Sequence, residues 1–137
     1  MDHNTATEDM IFVEAGVNAN IILAGVNINV GTTWNDYDDC PLRIADNSTG
    51  DVTITIQDGT TNTLTSYGSC AGIQKTGDAN TGTLTIRGDG KDSGVLNATG
   101  GEYGAGAILS RLCIRADGRF TTGLYCDLQP RKRLWKI

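Results

Sequence analysis

Little in this chain suits a helix bundle, a membrane-spanning helix or a metal-centred enzyme. Its 137 residues include 2 prolines, 2 phenylalanines, 2 tryptophans and one histidine. His3 stands alone near the start, so no histidine pair is present for zinc or for a proton relay, and the cysteines lack zinc-site spacing. The longest apolar runs are only a few residues, too short for a spanning helix. No basic stretch followed by an apolar one opens the chain. The protein is therefore read as either cytosolic or already relieved of a signal. Positive charge is also scarce for most of the length. Residues 1–110 carry 4 Lys or Arg against 14 Asp or Glu, and the whole chain has net charge -5. That balance argues against a nucleic-acid partner.

What is present is glycine, threonine and short alternation. This mix suits short strands joined by tight turns better than long helices. Val26, Ile28 and Val30 alternate with Asn27 and Asn29, a period of two closed by Gly31. Similar phrases then return. Tyr37-Asp-Asp-Cys40 reappears as Tyr67-Gly-Ser-Cys70, and Thr53-Ile54-Thr55-Ile56 as Thr83-Leu84-Thr85-Ile86, both 30 residues on. Tyr103 follows Tyr67 by 36 residues. Self-similarity at such a period marks stacked coils. Each strand is too short to stand alone, but stacked on its counterpart it gains a ladder of hydrogen bonds at about 4.8 Å.

The expected fold is all-β: a short right-handed parallel β-helix (solenoid) of about three to four coils over residues 10–110. Residues 1–9 are read as a frayed leader and residues 111–137 as an atypical basic C-terminal cap. Leucine-rich repeats share the period, but their consensus is missing. An antiparallel sandwich would explain the alternation but not the in-register return of Tyr, Cys and TxT. The repeat fails after about Ile108, and residues 111–137 switch to 7 basic and 2 acidic side chains. A cap covering the open end of the solenoid is the simpler reading. The sharper one is non-repeat sequence from a truncated or frame-shifted gene.

Four phrases carry a resemblance: Asn20-Ile-Ile-Leu-Ala-Gly-Val-Asn-Ile, Asp51-Val-Thr-Ile-Thr-Ile-Gln-Asp-Gly-Thr-Thr-Asn-Thr-Leu, Cys70-Ala-Gly-Ile-Gln-Lys and Gly82-Thr-Leu-Thr-Ile-Arg-Gly-Asp-Gly. Over roughly residues 10–108 the chain resembles the β-helical carbohydrate-binding surface proteins of gut and cellulolytic bacteria. The resemblance implies a parallel β-helix, an extracellular or cell-surface location, association with polysaccharides such as pectin, and often bound calcium. The chain departs from that pattern in having few coils, and in its C-terminus, where another glycine-rich coil is expected.

Candidate sites follow from the repeat. Trp34, Tyr37, Tyr67 and Tyr103 could line one edge as an aromatic platform for carbohydrate, because the C–H faces of sugars pack on flat rings. The competing reading is a tyrosine stack that only closes a corner. Asp36, Asp38 and Asp39 crowd one loop with hard oxygen ligands suited to Ca²⁺, though without an EF-hand pattern. Asp58-Gly59 and Asp89-Gly90 read first as turns. Cys40 and Cys70 share a repeat position and are read as a buried reduced pair, with a disulfide as the alternative. Cys113 and Cys126 are disulfide candidates within the tail. Thr53 and Thr55 beside Thr83 and Thr85 give two rungs of TxT, the motif of ice-binding solenoids, but Ile22 and Ala24 end the array. Lyase chemistry would draw a base from Arg43 or Lys75, and hydrolysis a carboxylate pair from the Asp36 loop. No catalytic motif accompanies either.

The sequence thus points to a non-catalytic carbohydrate-binding or adhesive surface module, with polysaccharide, acidic pectin-like chains included, as the expected partner. Calcium is an optional cofactor, and pairing of copies through the solenoid ends is a further possibility. The alternative is a structural solenoid segment without a ligand of its own. A polysaccharide lyase or hydrolase, or an ice-binding solenoid, ranks behind both.

Overall fold

The structure is a computed structural model that describes residues 5–30, 40–67, 70–75, 82–90 and 93–101 with their side chains, and the backbone of 108–110, 113–116 and 135–136. Among these residues there is no helix, only twelve strands. They are β1 (Ile11–Val13), β2 (Ala19–Leu23), β3 (Asn27–Val30), β4 (Leu42–Ile44), β5 (Val52–Ile56), β6 (Thr61–Ser66), β7 (Ile73–Lys75), β8 (Leu84–Gly88), β9 (Val95–Thr99), β10 (Ile108–Ser110), β11 (Cys113–Ala116) and β12 (Trp135–Lys136).

Consecutive strands do not pair. A first sheet has the order β1-β4-β7-β10, a second β2-β5-β8-β11 and a third β3-β6-β9-β12. Every neighbour is therefore three strands away, so each turn of the chain contributes one strand to each sheet. All pairings are parallel except β12 on β9. The parallel ladders exclude the antiparallel sandwich and give a β-solenoid-like stack of coils. The core is built of columns of inward residues, most of them apolar, with Asn62, Ser66 and Lys75 as buried polar members. Val13 and Ile44, Ile21, Ile54 and Ile86, and Ile28, Leu64 and Ala98 lie in register across successive coils. Apart from Ile21, which is partly buried at the open end of the stack, these side chains are buried. Stacked branched residues remove apolar surface from water along the whole axis, at roughly 25 cal/mol per Å².

The register departs from the sequence reading in one instructive way. Thr53 lies opposite Thr85 and Thr55 opposite Arg87, not opposite Thr83 and Thr85. Because side chains alternate with a period of two, a shift of two residues leaves every side chain on its original face. The repeat thus survives in the sequence while its ladder is displaced. The displacement builds up in two steps: Leu42 already lies opposite Ile73, an offset of 31, and the next turn adds one more, since seven residues separate β4 from β5 but eight separate β7 from β8. The rung below is likewise Asn20 and Ile22, not Ile22 and Ala24.

Each corner of the coil has its own tie. At the first corner, between the first and second sheets, the backbones come very close: a Cβ added to Gly50 would fall on the Val17 carbonyl, and one added to Gly82 on the Gly50 carbonyl. Buried Ser48 accepts through its Oγ from the Gly16 amide (3.3 Å) and the Gly50 amide (3.2 Å). Outside it, Asn18 Oδ1 accepts from the Asp51 amide, and Asp51 Oδ1 from the Thr83 amide and hydroxyl, at 2.8–2.9 Å. At the second corner, buried Asn62 accepts from the Gly25 and Val26 amides (2.8 and 2.9 Å) and donates to Val95 of the next coil (3.3 Å). One side chain so joins three coils, consistent with the rule that buried polar groups are satisfied.

At the third corner Cys40 and Cys70 are both buried and joined by a disulfide, with Cα atoms 5.2 Å apart. The reduced pair favoured from sequence is corrected on this point, because ladder spacing puts the two residues within bridging range. The Gly101 amide continues the corner by donating to the Cys70 carbonyl at 2.9 Å.

Backbone pairing extends to both ends of the stack. Thr7, placed by the sequence in a frayed leader, pairs with Ile28 through bonds of 3.0 Å to the Asn27 carbonyl and from the Asn29 amide, and so covers the free edge of β3. In the basic tail, the backbone of β11 continues the second sheet in parallel, and that of β12 lies antiparallel on β9.

Candidate functional site

Outward positions decide what the solenoid can touch, and the three sheets differ. The first presents Phe12, Arg43 and Gln74 in one row. Arg43 is tied to Asp46 at 3.5 Å. The second presents Asn20, Thr53 and Thr85 beside Ile22, Thr55 and Arg87. Arg87 stands where an ice-binding array needs threonine, and its Nε donates to Thr55 Oγ1 at 3.2 Å. The TxT reading of this face is therefore corrected.

The third sheet carries the regular polar surface. Asn27, Thr63 and Asn97 form one row across three coils, and Asn29, Thr65 and Thr99 a second. Amide and hydroxyl groups thus repeat at ladder spacing, about 4.8 Å, with no formal charge among the six. On the N-terminal side of the strands, Ala24, Gly25, Asn27, Gly59, Thr60, Thr61 and Thr63 line an open groove of about 430 Å³. Asn62 lies beneath, holding the Gly25 and Val26 amides and donating to Thr60 Oγ1 at 3.0 Å. Beside the rows, on the middle coil, Tyr67 follows β6 directly. Its amide donates to the Val30 carbonyl at 2.9 Å, and its residue remains 57% exposed. A flat ring beside a hydroxyl and amide surface is an arrangement that can receive a sugar face.

Of the aromatic platform, Tyr67 is the member the structure describes. Trp34, Tyr37 and Tyr103 lie outside the described residues, as do Asp36, Asp38 and Asp39 of the calcium candidate and Cys126. Cys113 is described only by its backbone, in β11. Among the described residues no cluster of three or more metal-binding side chains occurs. The Asp-Gly turns behave as turns. Gly59 and Gly90 take positive φ, 72° and 123°, which glycine adopts without the Cβ penalty. The carboxylates serve backbone amides: Asp89 Oδ2 accepts from Asp58, and Asp58 Oδ1 from Ser93.

Lys75 and Arg43, grouped by repeat position in the sequence, fall on opposite faces. Arg43 pairs in register with Gln74, while Lys75 pairs with Ile44 and points into the core. Its side chain is fully buried, and Nζ donates to the Ser48 carbonyl at 3.4 Å. Burial pushes the Lys75 pKa below its ordinary value, opposed by the Asp51 carboxylate. The hydrogen bonds from the Thr83 amide and hydroxyl pull the Asp51 carboxyl down, helped by Lys75 and opposed by burial. An ammonium closed inside the coil cannot reach an external polysaccharide, so Lys75 is a structural residue and not an accessible base. Lys75, Ser48 and Asn62 escaped the sequence reading as interior groups. The signal was there for two of them: Asn62 and Lys75 both occupy the inward parity of their strands, two residues from Leu64 and Ile73.

Compared with known proteins, the chain matches no family model, no curated protein and no solved structure.

Proposed function

We propose that the chain is a non-catalytic carbohydrate-binding or adhesive module of a cell surface, gripping polysaccharide along the outward face of the third sheet. The coil is assigned a right-handed sense, since parallel strands joined through a crossover take that hand in about 98% of cases. The single observation carrying the reading is exposed Tyr67 on the middle coil, two residues beyond Thr65 and so flanking the Asn27-Thr63-Asn97 and Asn29-Thr65-Thr99 rows. The ring supplies a stacking plane and the rows supply donors and acceptors for sugar hydroxyls. Trp34, Tyr37 and Tyr103 extend the platform in this proposal, and Asp36, Asp38 and Asp39 offer the place where Ca²⁺ would fix an acidic sugar.

Glycan-array binding and pull-down on pectin-like polysaccharide, with and without EDTA, test it. Binding is expected, and Tyr67→Ala should weaken it about tenfold, the equivalent of one lost aromatic contact. Loss of binding in EDTA would place calcium in the site. No binding under either condition would contradict the proposal. The second reading, a structural solenoid segment without its own ligand, is favoured by a different observation: the first coil leaves strand edges and apolar side chains uncovered among the described residues.

A further inference from the structure

Two segments of the chain read Asn-x-Ser/Thr without proline at x: Asn47-Ser48-Thr49 and Asn97-Ala98-Thr99. This is the acceptor pattern for an N-linked glycan, which calls for a surface loop in a secreted protein. The pattern alone is common, and the fold treats its two copies differently. Asn47 sits in the exposed turn that leaves β4 at the first corner. Its φ is 59°, and among the described residues it is the one non-glycine with positive φ. Asparagine tolerates that left-handed backbone, so the turn accounts for the residue type at 47 but not for the hydroxyl at 49. Ser48 between them is buried, and its Oγ accepts from the Gly16 and Gly50 amides. With the middle residue pinned inward, Asn47 and Thr49 on either side of it are left exposed, the two residues a transferase reads.

The second copy is closed off. Asn97 and Thr99 lie inside β9, with the β6 ladder on one side and the backbone of β12 on the other. Asn97 is half-buried between Thr63 and Lys136 in register. Both neighbouring strands would have to be peeled away before that amide could enter an active site. The compartment is the other requirement. Cys40 and Cys70 form a disulfide at a fully buried corner. Structural disulfides form and persist on secretory and extracellular routes, and glycan transfer to asparagine belongs to the same setting.

We propose that Asn47 is an N-glycosylation site, modified on a secretory route from a lipid diphosphate-linked oligosaccharide, and that Asn97 is left bare. In the transfer, Asn47 Nδ2 attacks C1 of the first sugar. A C–N bond forms, and the bond from C1 to the diphosphate oxygen breaks. The lipid diphosphate leaves with the electron pair, the amide gives up one proton, and nothing is oxidised or reduced. The glycan projects from the corner between the first and second sheets, which leaves the outward face of the third sheet open. The assignment therefore stands independently of the carbohydrate reading.

Secretion of the full 137-residue chain from a eukaryotic cell line, behind a cleavable leader, tests this. The secreted chain should exceed its 14.5 kDa by the mass of one glycan. Peptide-N-glycosidase should remove that increment and leave aspartate at position 47 in the peptide map. Asn47→Asp suits the same left-handed turn, and Thr49→Ala leaves Asn47 in place. Each should lose the glycan and keep the wild-type circular dichroism spectrum. Thr49→Ser should retain it, and Asn97→Gln should leave it unchanged. A folded, disulfide-bonded wild-type chain secreted without glycan would overturn the proposal. So would occupancy of Asn97 equal to or above that of Asn47, or a glycan that survives Thr49→Ala.

Discussion

Replacing Gly50 with alanine is expected to remove about 3 kcal/mol or more of stability, at the upper end of what overpacking costs. The methyl group would land on the Val17 carbonyl of the coil below. The backbone cannot yield by moving up, because the Gly50 carbonyl lies where a Cβ of Gly82, one coil above, would fall. Nor can it slide sideways: the Gly50 amide is tied to Ser48 Oγ, and two residues on Val52 enters a fixed register with Ala19 and Leu84. Gly59→Ala provides the control. Gly59 has φ 72° but nothing within 4 Å of an added Cβ, so only the left-handed backbone is penalised, by about 1–2 kcal/mol. Urea unfolding reads both, as a fall in midpoint at unchanged slope. Equal losses at the two positions would show that the close approach at the first corner is not real. For a domain stable by about 5–15 kcal/mol, the Gly50 change alone brings the fold near its threshold.

Opening the Cys40–Cys70 link is expected to cost a similar amount, about 3.5 kcal/mol. The bond closes a loop of 30 residues, one whole coil, and restricts the unfolded chain accordingly. The double change Cys40→Ala with Cys70→Ala deletes the bond and leaves small apolar groups at two fully buried positions. Most of the loss should then appear through the unfolded state, with a smaller part from missing sulfur contacts. Denaturant unfolding of wild type with and without dithiothreitol, beside the double variant, separates the two. Reduced wild type and the double variant should fall together. If dithiothreitol leaves the midpoint unchanged while mass spectrometry shows both thiols free, the bond contributes nothing to stability.

Much of the architecture is legible in the sequence, for a physical reason. A solenoid repeats its chemistry each time the chain comes round, so parity and period both surface in the sequence. The inward Ile54 and Ile86, the outward threonines, and Cys40 above Cys70 were all readable. The register was not. Turns of unequal length at the corners shift the ladder by two residues, and a shift of two changes no side-chain face, so the pattern gives no warning. Interior polar groups were missed because Asn62 and Lys75 read as ordinary surface residues until their strand parity is applied. The candidate site was legible only in part. Tyr67 could be named from the repeat, but the Asn and Thr rows of the third sheet emerge only once Asn27, Thr63 and Asn97 are seen 36 and 34 residues apart in the chain.

A pair of engineered cysteines tests the coil stack most directly. Thr53→Cys with Thr85→Cys places two outward residues on facing positions of β5 and β8, at ladder spacing and within disulfide range. Thr53→Cys with Thr83→Cys represents the alternative offset of 30 residues and puts the partners on a diagonal of about 7–8 Å. After mild oxidation and non-reducing peptide mapping, the first pair should be cross-linked in the folded protein and the second should not. Cross-linking of the second pair alone, or of neither, would contradict the parallel register on which the three-sheet solenoid rests.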